Sequence, residues 1–331
     1  MKTVRLHGFT DLRLHDEPDP VAGVNEELIN VKAVGICGSD LHWYTEGGIG
    51  DDQLNHALIL GHEFSGISET GMRVTVDPAI SCGSCEICRN GNPNLCEKVI
   101  FAGHGNTDGA LCEKMAWEKK NQFVIPDKIS YAEGAMLEPL GVAMHAVDLA
   151  HLQIGMTIGV YGCGTIGLLI IQLAKLAGVA SIIATDKLYH RVEAAHALGA
   201  LMVLVANDGL EIQEIMSATG NRGVDVAFEV AGEQEAVEVA FLSIRPGGKV
   251  ILAGIPADNR TSFPASVARR KGLTIKIVRR MKNTYPRAIE MVSEGLVDVR
   301  SLITHRFPLD KFAEAFETAQ RREGIKVIIE L

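Results

Sequence analysis

From residue 157 onward the apolar residues come in short runs, at 157–161, 181–185, 201–205, 224–230, 249–254 and 273–278. These runs are short, rich in Val and Ile, and bounded by glycine and polar residues, which predicts six strands. Between most of them the apolar positions recur at helical spacing, over 165–177, 188–198, 209–218 and 233–243. Strands alternating with helices predict an α/β unit with a parallel, doubly wound sheet. Residues 1–145 follow another pattern, with β-like runs such as Leu28–Val34 and Arg73–Val76 set among glycines, prolines and polar loops. No regular crossover helices separate them, so this half reads as mostly β. After residue 284 a helix is expected at Tyr285–Ser293 and a last strand at Lys326–Ile329, in a tail too short to stand alone.

The expected organisation is therefore a first domain at 1–145, a dinucleotide-binding domain at 146–284, and a tail at 285–331 that returns to the first domain. A chain of 331 residues is long enough for two cores. Its net charge of −9 argues against nucleic acid or an anionic membrane as the main partner, leaving a small-molecule substrate. The opening MKTVRLHGFTDLRLHDEP has no apolar run, and the longest apolar stretch, Ile166–Leu173, is interrupted by Gln172. Neither spans a bilayer, and a cytosolic location is expected. In that compartment the seven cysteines suit metal ligands or buried thiols better than disulfides.

The segment Gly162-Cys-Gly164-Thr165-Ile166-Gly167 carries G-x-G-x-x-G between a predicted strand and a predicted helix. Gly162 permits the tight turn, Gly164 lets the backbone approach a pyrophosphate, and Gly167 lets helix and strand pack closely. The free N–H groups of the helix N-terminus, at Thr165 and Ile166, favour the phosphates. Asp186 closes the next strand, about 20 residues on, where a carboxylate accepts hydrogen bonds from both ribose hydroxyls and repels a 2′-phosphate. The pattern predicts NAD, with Arg191 beside the cofactor. Lys187 and Arg191 keep NADP as the alternative.

Two further groups carry metal chemistry. Cys82, Cys85, Cys88 and Cys96 fall within one loop, 82–96, and four thiolates with no open position make a structural zinc site. An iron–sulfur cluster and buried free thiols are the alternatives. Upstream stand Cys37, Ser39, Asp40 and His42, then His62 and Glu63, and later Glu138. One thiolate, one imidazole and one or two carboxylates suit a catalytic zinc that keeps a position open for substrate. Such an ion is a Lewis acid toward a hydroxyl oxygen. Ser39 and His42 are then the expected proton relay, and Asp40 the partner of the second His62 nitrogen. For Glu63 an ion-pair role is the alternative.

The strings GICGSDLHWY, ILGHEFSG, CGSCEICRNGNPNLC, MLEPLGVAMHA, VYGCGTIGL and LITHRFPL resemble the medium-chain, zinc-containing dehydrogenase family, and within it the sorbitol (polyol) dehydrogenase branch. The resemblance spans essentially the whole chain. It implies a GroES-like catalytic domain plus a Rossmann domain, two zinc ions per chain, and a homodimer or homotetramer. By it Cys37 and His62 are zinc ligands, and Glu138 stands where the alcohol dehydrogenases have a cysteine. In the polyol branch Glu63 ligates zinc while Glu138 holds the water, and the sequence leaves their order open. Between Gly66 and Arg73 the chain has a shorter hairpin than its relatives. In Arg279-Arg280-Met281 the polyol branch often shows Phe-Arg-Tyr, so Arg280 is the expected substrate contact while Met281 departs from the pattern. The activity implied is NAD-linked oxidation of a secondary alcohol to a ketone, with threonine or a simple alcohol as the nearest alternative substrates. A non-catalytic, zinc-stabilised nucleotide-binding protein is the alternative of another class.

Overall fold

Val224–Glu229 is buried at every position, as a strand sandwiched between helices must be. It pairs in parallel with Thr157–Tyr161 on one side and with Ile244–Leu252 on the other. These are the centre of a six-stranded parallel sheet described, like the rest of the chain, in a computed structural model covering residues 1–331. In sequence order within this unit the strands run third, second, first, fourth, fifth, sixth. That is the doubly wound dinucleotide-binding order, in which ligands bind at the carboxyl ends of the strands where the order reverses.

The sequence pattern locates five of these six strands closely. The fifth starts earlier than its apolar run, because Val224 already pairs with Ile244 before a register shift at Val226. Pro246-Gly247-Gly248 interrupts the apolar pattern inside that strand, so hydropathy shows only its second half. The short helix Ala265–Lys271 has no counterpart in the expectations. None of its residues is buried, so it lacks the apolar stripe that reveals a helix.

The other unit holds a larger sheet in which Glu26–Gly35 is the organising strand. It pairs antiparallel with Glu63–Ser68, with Lys114–Glu118 and with the C-terminal strand Lys326–Glu330. Its core includes Val34, Trp43, Leu60, Phe64, Phe316 and Ile329. Helix Tyr285–Ser293 and strand Lys326–Glu330 form where the pattern places them.

The division between the units falls at Gly141/Val142 and Met281/Lys282, a few residues before the expected boundaries. The first cut lies inside helix Leu137–Ala150, which the sequence pattern does not reveal. Its residues are buried almost all round, so no polar face marks a helical period. No helix of the chain is long and apolar enough to cross a membrane.

Candidate active site

The β-ladder itself assembles the first constellation. Gly35 pairs with Glu63 across the antiparallel strands, so Cys37, two residues beyond Gly35, meets His62 and Glu63 at the mouth of the ladder. The thiol, imidazole and carboxylate donor atoms all lie within 4.8 Å of one another. A Cβ at Gly35 would sit 2.1 Å from Glu63 Oε2, so any larger residue there would displace that carboxylate. His62 and Glu63 are buried. A thiolate, an imidazole and a carboxylate converging from one β-register form the donor set of a zinc centre with an open position.

Asp40 fixes this arrangement from behind. It is 1% exposed. One of its oxygens accepts the Gly61 N–H at 3.2 Å and the other accepts the Cys37 N–H at 2.9 Å. His62 Nδ1 lies 3.4 Å from Asp40 Oδ1, which turns Nε2 toward the constellation. Burial opposes charge on both groups, but their mutual attraction wins. The histidine is raised well above the ordinary imidazole range, and Asp40 stays below the usual carboxylate range. Ser39 Oγ lies 3.5 Å from His62 Nε2, while His42 points along its helix to Glu46, with Nδ1–Oε1 at 3.0 Å. The expected relay residues thus occupy one helix, Ser39 next to the constellation and His42 bonded toward the exposed end of the helix.

Lys326 is the residue that sequence reasoning missed. Its ammonium donates to both Glu63 oxygens, at 2.8 and 2.6 Å, and to the Ile36 carbonyl at 3.1 Å, and it is 4% exposed. The available signal was a lysine opening the apolar run Val327-Ile328-Ile329 in a terminal strand. Glu63 is therefore an ion-pair partner and a member of the donor set at once. The two roles are compatible, because a carboxylate has about four lone-pair sites.

Glu138 is not in the set of mutually close donor atoms, yet it is electrostatically coupled to His62, Glu63 and Lys326. Burial, with Glu63 adding to it, pushes its carboxyl up to about 8 against the pull of His62. An acid whose folded pKa is raised adds stability that is complete below about 4.5 and lost as pH climbs through 8. In chelator-treated protein, Glu138→Gln is expected to raise the melting temperature at pH 9 but not at pH 5. Thermal unfolding at the two pH values checks this, and equal shifts at both would remove the buried-acid account.

The aromatic surroundings of His62 were also not anticipated. Phe101 lies tilted against the His62 ring with centroids 5.2 Å apart, and it stands perpendicular to the His104 ring at 6.1 Å. His104 in turn lies against Trp43 at 5.3 Å.

The four-cysteine loop closes on itself. Cys82 and Cys96 sulfurs are 3.5 Å apart, Cys82 and Cys88 4.0 Å, and Cys85 and Cys96 4.0 Å. A tetrahedral zinc with Zn–S near 2.3 Å needs sulfurs about 3.8 Å apart. The spacing fits one ion and leaves no space for a multi-iron cluster. Backbone N–H groups of Ser84 and Cys85 hold the Cys82 thiol down to about 6, favouring the thiolate a metal needs.

In the other unit Gly162 has φ +107, and a Cβ there would strike Ala231 N at 2.9 Å. At Gly167 a Cβ would lie 2.0 Å from Gly162 O. A side chain at either position would strike backbone: Ala231 at Gly162, and the turn carbonyl of Gly162 itself at Gly167. At Gly164, by contrast, the nearest atom is Arg191 Nη1 at 3.6 Å, so the turn is open there. Thr165 and Ile166 begin helix Thr165–Leu176. Asp186, at the end of its strand, accepts the Cys163 N–H at 2.7 Å and the Leu188 N–H at 2.9 Å. The carboxylate is oriented by the turn itself. Arg280 adopts φ 52, a conformation a non-glycine residue holds at some cost.

Fold and donor sets together define a zinc-dependent dehydrogenase that pairs a GroES-like unit with a Rossmann unit. Family comparison agrees: the alcohol dehydrogenase GroES-like domain matches residues 23–127, and the zinc-binding dehydrogenase domain matches 165–294. Sorbitol dehydrogenase of Bacillus subtilis (strain 168) is 37% identical over 341 residues, covering 99% of this chain and 97% of that protein. Galactitol-1-phosphate dehydrogenase from Escherichia coli superposes with a TM-score of 0.91 at 26% identity, covering 100% of both chains. An alcohol dehydrogenase of E. coli CFT073 solved with NADH gives a TM-score of 0.91 at 27% identity, covering 100% of this chain and 99% of that one. The chain belongs to the medium-chain zinc-containing dehydrogenase family, in its sorbitol dehydrogenase-like branch. It is an oxidoreductase, a zinc-binding dehydrogenase by family, with two donor sets able to hold a metal.

Proposed function

We propose that this chain reversibly oxidises a secondary hydroxyl of a polyol or sugar-like substrate to the ketone, passing hydride to NAD. The observation that carries the reading is the Cys37–His62–Glu63 set, a half-buried thiol beside a buried imidazole and carboxylate, with donor atoms within 4.8 Å. When bound there, zinc supplies the Lewis acidity that lowers a hydroxyl's proton affinity. Cys37, His62 and Glu63 are the ligands in this proposal, and Asp40 holds the His62 tautomer. Glu138 is the neighbouring buried carboxyl, assigned to hold the water of the centre. Ser39 takes the hydroxyl proton, and His42 with Glu46 moves it toward solvent. The four thiols at 82, 85, 88 and 96 hold a second, structural zinc.

Asp186 selects NAD, since a 2′-phosphate would be set against a carboxylate already fixed by two backbone N–H groups. Arg191, beside Gly164, is assigned to the cofactor, as are the N–H groups at Thr165 and Ile166. Arg280 is assigned to the substrate, its left-handed backbone being the kind of strain that functional positions retain. All seven cysteines are free thiols, which suits a reducing compartment such as the cytosol. Strand Thr274–Ile277 pairs on one side only, and Ile277 is 75% exposed. An uncovered edge of this kind invites a second chain, and a homodimer or homotetramer is the proposed assembly.

The test is a panel of polyols, threonine and simple alcohols assayed by NADH formation, with NADP compared. Turnover greatest on polyols with NAD supports the proposal. Turnover confined to threonine or simple alcohols would overturn the substrate class.

A further inference from the structure

Beyond the reacting hydroxyl, we infer that Asp52 and His104 form a subsite for the distal hydroxyls of an uncharged polyol, and that this subsite disfavours phosphorylated or carboxylated substrates. The inference rests on the polyol reading above and narrows it.

The geometry starts at His62. Phe101 lies tilted against that ring, and His104 stands perpendicular to Phe101. Trp43 donates its indole N–H to His104 Nδ1 at 3.3 Å. Indole is a donor only, so Nδ1 must be the accepting nitrogen and the proton resides on Nε2. Nε2–H then donates to Asp52 Oδ2 at 2.9 Å. The imidazole is oriented from both ends and stands one aromatic ring from a proposed zinc ligand. Its side chain is 24% exposed and that of Asp52 59%, so the carboxylate retains lone pairs for a ligand. A carboxylate and an imidazole beside apolar ring faces suit an extended polyhydroxyl chain, whose O–H groups donate to the one and whose C–H surface packs on the others.

Charge narrows the ligand class. The two segments that build this wall, residues 33–72 and 99–113, contain no lysine or arginine. They do contain Asp40, Glu46, Asp51, Asp52 and Glu63. Two cations reach these segments, and both are already paired: Lys326 is held by both Glu63 oxygens, and Arg5 by Glu17 and Asp108. Recognition of a phosphate or carboxylate relies on arginine, lysine or an array of free N–H groups. These segments offer acceptors instead, so an anionic group placed at Asp52 and His104 would meet like charge, while Arg280, assigned to the substrate above, belongs to the other unit.

The experiment compares sorbitol, sorbitol 6-phosphate and 2,3-butanediol as substrates of the zinc-loaded enzyme and of its Asp52→Asn and His104→Ala variants. Wild type is expected to favour sorbitol over its phosphate ester by about a hundredfold or more in kcat/KM. In each variant the sorbitol-to-butanediol ratio is expected to fall about tenfold, mainly through a higher KM for sorbitol, because butanediol has no distal hydroxyls to lose. Asp52→Asn is expected also to narrow the discrimination against the phosphate ester. Melting temperature and NADH affinity are followed in parallel. If His104→Ala fails to fold, the exposed Asp52→Asn decides alone. A sorbitol-to-butanediol ratio unchanged by Asp52→Asn overturns the subsite and leaves the polyol reading standing. Preference of wild type for the phosphate ester does the same. Turnover on butanediol with none on sorbitol overturns both.

Discussion

His62→Ala is expected to reduce turnover by at least about a thousandfold while changing the affinity for NADH less than about threefold. The separation follows from where the two chemistries reside. His62 belongs to the β-rich unit, in the register of strands Glu26–Gly35 and Glu63–Ser68, whereas the glycine turn and Asp186 belong to the parallel sheet. Removing the imidazole deletes one of three ligands and the contact with Asp40, and the His62 partners Asp40, Ser39 and Phe101 all belong to its own unit. NADH fluorescence titration and steady-state kinetics on the same preparation measure the two quantities. Parallel loss of both would show that His62 supports the fold at large rather than the chemistry.

Lys326→Met is expected to destabilise the metal-free protein by roughly 3–5 kcal/mol, because it leaves the Glu63 carboxylate buried without a counter-charge. The two partners are 4% and 1% exposed, so solvent screens little of the interaction. Adding Glu63→Gln to Lys326→Met is expected to recover most of the loss, since the double variant buries no lone charge. Zinc gives the freed carboxylate another cation if Glu63 is a ligand. The penalty is therefore expected to be smaller in zinc-loaded than in chelator-treated protein. Urea unfolding of wild type, the two single variants Lys326→Met and Glu63→Gln, and the double variant, with and without zinc, reads all of this. An equal penalty in both metal states would remove Glu63 from the ligand set and leave it purely an ion-pair partner.

Those two outcomes bear on what the chain discloses before it folds. The Rossmann unit is legible because its buried strands are continuous apolar runs, and because Gly162, Gly167 and Asp186 each answer a local steric or electrostatic need. The cysteine loop is legible for the same reason: its ligands lie within 15 residues, from Cys82 to Cys96. The catalytic constellation is legible only as a list of residue types. What joins Cys37 to His62 and Glu63 is a strand register, and sequence spacing does not carry register. Lys326 lies 263 positions from the carboxylate it holds. A contact of that range depends on the terminal strand pairing with Glu26–Gly35, which hydropathy foretells only as a strand of unknown neighbour. His104 and Asp52 are hidden in another way. Both sit in glycine-rich stretches without periodicity, and only the packing of Phe101 and Trp43 brings them beside the site. Helix Leu137–Ala150 escaped because burial on nearly all sides erases the amphipathic signal.

The most direct test of the central claim is metal content per chain, measured by atomic emission before and after mild chelation, with turnover on a polyol followed in the same samples. Two zinc ions per chain are predicted, with one removed easily and activity disappearing with it, while the ion held by Cys82, Cys85, Cys88 and Cys96 remains. A single zinc that resists chelation, with turnover unaffected by the chelator, would contradict a catalytic centre at Cys37, His62 and Glu63.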